Sequence, residues 1–181
     1  MGRDKALLPV PPSGEPLWER QLDLLSRLGP EELLWSGPLR VGVPAAVREI
    51  RDPIADAGPL AGISACLEAS RSDLLVVLAI DLPAMTGAFL RGLLARAACG
   101  WGVVTQGEGG GSFEPLAAVY PRSLAPLAAE RLARGEYALH GFIREGIDQG
   151  ALEVVSLRAG ENAFFRNLNT PDDLASFLSQ P

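Results

Sequence analysis

An aspartate set directly behind an apolar run is the clearest place in this chain for chemistry. The stretch Leu74-Leu-Val-Val-Leu-Ala-Ile80 carries no charge and ends on Asp81, with Leu82 and Pro83 behind it. A carboxylate at the carboxyl end of a buried strand can hold Mg2+ against a polyphosphate, and Pro83 ends the strand so that the side chain stays at the rim. The same residue reads as a cap for the helix that follows, which needs no ligand. Other chemical motifs are missing. Gly107-Glu-Gly-Gly-Gly-Ser112 lacks a following Lys-Ser/Thr and a helix, so it reads as a flexible connection rather than a phosphate loop. His140, the single histidine, falls in the amphipathic stretch YALHGFIREG and reads as a packed or surface residue, and no Ser/His/Asp arrangement is visible.

Composition narrows what such a carboxylate can serve. With 181 residues, 48% apolar content, 20 Gly and 15 Pro, the chain can bury one sizeable core and reads as a single domain, 1–181. Its 16 basic and 22 acidic residues give a net charge of −6, which argues against nucleic acid or an anionic membrane as the main partner. Cys66 and Cys99 are far apart with no CxxC, so neither a zinc cluster nor a disulfide framework is readable. The longest apolar run is too short to span a bilayer and no signal-peptide pattern opens the chain; Gly2 does not complete a myristoylation motif because Ala6 stands where Ser or Thr is required. A soluble, cytoplasmic protein is expected.

The elements that must position Asp81 alternate. Helical spacing is read over Pro16–Leu28, Leu60–Ala69, Gly87–Ala98 and Leu124–Ala133, with a last short helix at Pro171–Leu178 capped by Thr170. Strands are read at Leu33–Ser36, Val47–Arg51, Asp73–Ile80, Gly102–Thr105, Pro115–Tyr120 and Leu152–Leu157. The run before Asp81 is apolar on both faces, as a central strand covered by helices must be. The alternation predicts an α/β fold, a doubly wound, mostly parallel sheet flanked by helices. Trp18, Trp35 and Trp101 are scattered and belong to the core or its edge.

Taken in order, DKALLPV, GEPLWERQ, RDPIADAGPLAG, LLVVLAIDLP, FEPLAAVYP and NLNTPDDL resemble the molybdenum cofactor guanylyltransferases, a branch of the Rossmann-like, nucleotide-diphospho-sugar transferase-like nucleotidyltransferases. Each piece is weak alone, but six in one order over nearly the whole chain form a specific pattern. Members of that family open with a strand and a loop of the form LAGGxSxRMGxDK, of which this sequence carries only MGRDK. The resemblance therefore implies that the first central strand is missing, the domain being N-terminally truncated, and predicts an in-frame upstream extension with an apolar run and a Gly-rich turn.

The resemblance also implies roles. It makes Gly2 and Lys5 part of the phosphate-binding loop, with Lys5 stabilising charge at the α-phosphate. Ser36 falls where relatives carry an Asn near the guanine; a plain strand end is the alternative. Asp52 matches a nucleotide-contacting Asp, although an Asp before Pro53 also forms turns. Gly58 and Gly62 bracket GPLAG, where absent side chains let backbone approach a base, or where a helix simply begins. Asp81 matches the Mg2+ ligand. Asn167 and Asn169 match an amide pair beside the pterin, with turn capping by Asn169 compatible with that role. The implied reaction is transfer of GMP from Mg-GTP to the phosphate of molybdopterin carrying molybdenum. Molybdopterin-inserting or molybdoenzyme proteins are the implied protein partners. A cytidylyltransferase or other transferase of this fold, a non-catalytic binding subunit, and an inactive fragment are the alternatives.

Overall fold

Two residues make the shortest strands of the fold. β1 (Pro9–Val10) and β2 (Glu15–Pro16) pair antiparallel, and Leu17 N donates to Leu8 O at 3.0 Å, which seats this hairpin at the start of α1 (Leu17–Ser26). The computed structural model describes residues 5–10, 14–52, 54, 57–98 and 100–168. The expected terminal helix at 171–178 and its Thr170 cap lie outside them, as does Cys99.

The remaining elements follow the expected alternation. β3 (Leu33–Ser36) and β4 (Val47–Ile50) pair parallel, with Ser36 opposite Ile50. α2 (Pro59–Ala69) starts at Gly58, whose φ of 70° suits a residue without Cβ, and has Pro59 in its first turn. β5 (Leu74–Leu78) comes next, then α3 (Gly87–Leu94), whose first turn is capped by the Thr86 hydroxyl accepting from Phe89 N at 3.2 Å. α3 is shorter than the spacing suggested. Ala98 and Trp101 exchange backbone hydrogen bonds around Gly100 at φ 97°, which takes those residues out of the helix.

β6 (Gly102–Gln106) and β7 (Phe113–Pro121) are joined by the glycine-rich connection, closed by Gly107 N to Ser112 O at 3.0 Å. So short a link forces the two strands antiparallel. α4 (Ala125–Ala133), α5 (Leu139–Asp148) and β8 (Leu152–Ser156) complete the described elements, with 3₁₀ turns at Lys5–Leu7, Arg122–Leu124 and Glu161–Phe165. The sheet order β5-β7-β6-β8 contains parallel β6–β8 and one reversed strand, β7. The helix-flanked α/β sheet is as expected, with β7 as its exception to parallel order.

Helices cover both faces. Leu60, Ile63 and Leu67 of α2 pack with Leu127 and Leu132 of α4, Phe142 and Ile143 of α5, and Tyr120 on one side. Leu90 and Leu93 of α3 pack with Met85, Val103 and Val119 on the other, where α1 adds Leu24 and Leu25. No helix among the described residues is long and apolar enough to cross a membrane.

Between β3 and β5 the sheet is interrupted. A cavity of about 580 Å³ is lined by Leu33–Ser36, by Leu74–Ile80, and by residues of α1 and α2 above and below. Ser72 Oγ donates to Glu31 Oε2 at 2.9 Å and Arg71 N to Glu32 Oε1 at 2.6 Å, so β3 and β5 start at the same end and run in the same sense. The run Leu74–Ile80 is only half-buried, against the fully covered strand expected from its sequence, because its edge looks into this cavity.

Candidate functional site

The strand directions place the carboxyl ends of β3, β4, β5, β6 and β8, and the amino end of β7, along one rim. This is the edge at which an open α/β sheet takes its ligands.

On one side of the cavity three expected nucleotide residues converge. Ser36 ends β3, Asp52 follows β4, and Ser36 Oγ donates to Asp52 Oδ1 at 2.9 Å. Gly62, in the first turns of α2, lies against them: a Cβ there would overlap the Ser36 hydroxyl and stand 3.3 Å from Asp52 Oδ1. The absent side chain is therefore required by a close approach, beyond starting a helix. Gly58 sits one turn earlier, exposed, at the helix N-terminus. Cys66, one turn beyond Gly62, lines the cavity; burial first, then the charge of Asp52, pushes its thiol up to about 11.

Across the cavity, Asp81 lies three residues beyond the end of β5 and is half-buried. Its loop is held from two directions. Gln21 of α1, 3% exposed, donates through Nε2 to Leu82 O at 2.7 Å and stands 3.4 Å from Ile80 O, gripping the carbonyls on either side of Asp81. Arg20 Nε donates to Pro83 O at 3.0 Å. From the C-terminal side, Leu168 N donates to Asp81 O at 3.1 Å while the Leu168 side chain packs with Leu17 and Ile80. Asn167, exposed, is thereby brought to the Asp81 rim although 86 residues separate them in the chain. Asn169 and Gly2 lie outside the described residues, as does the side chain of Lys5, whose backbone opens the 3₁₀ turn Lys5–Leu7.

The roles of Gln21 and Arg20 were not read from the sequence. The available signal was Gln21 falling between Leu17 and Leu25 at four-residue spacing, a polar residue on an apolar stripe. His140 is exposed, its ring 5.9 Å from that of Phe113, and Trp18 is buried edge-on to Trp35 while Trp101 is exposed.

Solved structures share this fold. The molybdopterin-guanine dinucleotide biosynthesis protein A of Archaeoglobus fulgidus is 23% identical, with a TM-score of 0.73 covering 98% of this chain and 90% of that one. The 2-C-methyl-D-erythritol 4-phosphate cytidylyltransferase of Thermus thermophilus is 19% identical, with a TM-score of 0.69 covering 95% and 91%. The fold is that of the Rossmann-like nucleotidyltransferases. In sequence, residues 1–150 match the MobA-like NTP transferase domain. The chain is 36% identical over 178 residues to a probable molybdenum cofactor guanylyltransferase of Opitutus terrae, covering 96% of this chain and 86% of that protein. It is 33% identical over 176 residues to a molybdenum cofactor guanylyltransferase of Pseudomonas putida, covering 96% and 87%. The chain belongs to the MobA-like NTP transferases and is an enzyme of the nucleotidyltransferase class.

Proposed function

We propose that this enzyme transfers GMP from Mg-GTP to the terminal phosphate of molybdopterin carrying molybdenum. An oxygen of the acceptor phosphate attacks the α-phosphorus, the bond from α-phosphorus to the bridging oxygen breaks in line, and pyrophosphate leaves with that oxygen. The attacking phosphate is already an anion, so the protein's tasks are alignment and charge neutralisation rather than proton removal. The convergence of Ser36, Asp52 and Gly62 on one side of Asp81, with Asn167 delivered to the other, is the observation that carries this reading.

Asp81 supplies one carboxylate, and no group of three His, Cys, Asp or Glu gathers among the described residues. That donor set fits Mg2+, which keeps several waters and binds through one or two carboxylates plus substrate phosphates. Bound there, Mg2+ would neutralise phosphate charge as pyrophosphate departs. Gln21 keeps the Asp81 loop in place, Gly62 leaves room for the nucleotide beside Ser36 and Asp52, and Lys5 is assigned to the phosphates. Incubation with molybdopterin and either GTP or CTP, following pyrophosphate release and the dinucleotide product, tests the reading. Mg2+-dependent product with GTP is expected; preference for CTP would reassign the base, and no product with either would overturn the transfer.

A further inference from the structure

Glu114 has no task in the chemistry above. The antiparallel pairing of β5 with β7 ends at Leu78 opposite Ala117, with Ala79 N donating to Leu116 O at 2.7 Å. Three residues beyond Leu78 comes Asp81; three before Ala117 comes Glu114. On its other side Glu114 is the partner of Thr105 of β6, and directly opposed residues of an antiparallel pair place their side chains on the same face. Alternation along β6 puts Thr105 on the face of Val103, which belongs with Val155, Phe164 and Phe165. Phe164 and Phe165 lie in the 3₁₀ turn just ahead of Asn167. Glu114 thus stands on the side of the sheet where the chain returns to Asp81, with β5 and the cavity between it and the Ser36–Asp52 pair.

The carboxyl is half-buried and makes no hydrogen bond or ion pair with a described residue; burial alone holds it above the usual carboxylate range. Thr105 beside it is fully buried, and its Oγ1 has no partner among the described residues. A buried hydroxyl withdrawn from water without compensation is costly unless something completes it, and the half-exposed carboxyl beside it is open to a ligand. A carboxylate's two oxygens match a flat heterocycle that presents two neighbouring N–H groups.

We propose that Glu114 is the residue that recognises the acceptor, accepting two N–H hydrogen bonds from the aminopyrimidinone edge of the pterin. The assignment of this edge to a pterin rests on the function proposed above. Guanine carries the same edge, but the nucleotide side lies across the cavity.

The test is binding of neopterin, by quenching of its fluorescence, and of GTP, by calorimetry, to wild type, Glu114→Gln and Glu114→Asp. Gln keeps the volume, removes the charge and replaces one acceptor by a donor, so neopterin affinity should fall at least about tenfold. GTP affinity should stay within about twofold, Asp should restore part of the loss, and the thermal midpoint of the Gln variant should not drop because a desolvated charge is gone. Unchanged neopterin binding in Glu114→Gln, no neopterin binding by wild type, or loss of GTP binding instead would overturn the assignment. GMP transfer is scored separately. Transfer with an unchanged KM for molybdopterin in Glu114→Gln removes Glu114 and spares the reaction, whereas Glu114-dependent neopterin binding without transfer removes the reaction and spares Glu114.

Discussion

Ser36 and Asp52, sixteen residues apart, are joined by a hydrogen bond of 2.9 Å that closes over Gly62. The geometry separates stability from function at one position. In Gly62→Ala the added methyl forces the Ser36 hydroxyl away from Asp52, which removes a bond between exposed groups worth about 0.5–1.5 kcal/mol. Ala in a helix interior returns about 0.5–1 kcal/mol, so the two effects nearly cancel. The expected outcome is an unchanged thermal midpoint with KM for GTP raised about tenfold and KM for the acceptor little altered. An unchanged KM for GTP would move the nucleotide away from this cluster.

Asp81 is coupled to the rest of the fold through its backbone: the carbonyl accepts from Leu168 N and the flanking carbonyls are held by Gln21. Asp81→Asn leaves those bonds in place. Its thermal midpoint should match wild type, while Mg2+-dependent transfer falls by about 10²–10³, the usual size of losing a group that stabilises developing charge. Turnover within severalfold of wild type would mean that other groups hold the metal.

Gln21→Leu tests the clamp. The substitution keeps an apolar stripe on α1 but strips the donor from the buried Leu82 carbonyl and from the half-buried Ile80 carbonyl, a cost of about 1–3 kcal/mol by chemical denaturation. With the loop loosened, the Mg2+ concentration for half-maximal activity should rise. A stability loss with an unchanged Mg2+ requirement would limit Gln21 to packing.

Much of this fold was legible because its signals are local. The uncharged run ending at Asp81, Gly58-Pro59 opening α2, and the polar/apolar spacing of α1 each lie within a dozen residues. β1 and β2 were not legible, since two residues show no period, and the backward extension of β7 to Phe113 is set by pairing with β6 across a register irregularity. The site was legible only as separate positions. Contacts such as Gln21 to Leu82, or Leu168 to Asp81, join segments about 60 to 90 residues apart, and no sequence spacing encodes which loop a buried amide will grip.

Cys66 gives the nucleotide side a pH signature. Burial and Asp52 raise its thiol from 9.0 to about 11, so alkylation by iodoacetamide should be slow at pH 8 and rise only toward pH 11. Because the folded value lies above the unfolded one, the contribution of this group is fully present below about 9 and is lost as pH rises through about 11. Peptide mapping that separates Cys66 from Cys99 reads the rates; free-thiol reactivity of Cys66 at pH 8 would show that α2 opens.

The cavity between β3 and β5 is lined by the facing edges of two strands that are not paired with each other. Both bordering strands run in the same sense, each lacks a described neighbour on the facing edge, and the walls from α1 and α2 are mainly apolar. Gln21 also lines it, with Oε1 buried and without a partner among the described residues. Leu8 is bonded to Leu17, which packs beside Ile80 beyond the end of β5, so the described chain starts near the carboxyl rim. A segment of about five apolar residues joined ahead of residue 1 would therefore enter the cavity parallel to β3 and β5 and satisfy both edges. Burial of its side chains, less the entropy of ordering them, should raise stability by roughly 2–5 kcal/mol. Urea denaturation and amide exchange, compared with and without such an extension, measure this: the midpoint should rise and the amides of Leu33–Ser36 and Leu74–Leu78 should slow together. If the midpoint stays put and those amides are already protected in the 181-residue chain, the two edges are closed by some other contact and the cavity is not a strand position.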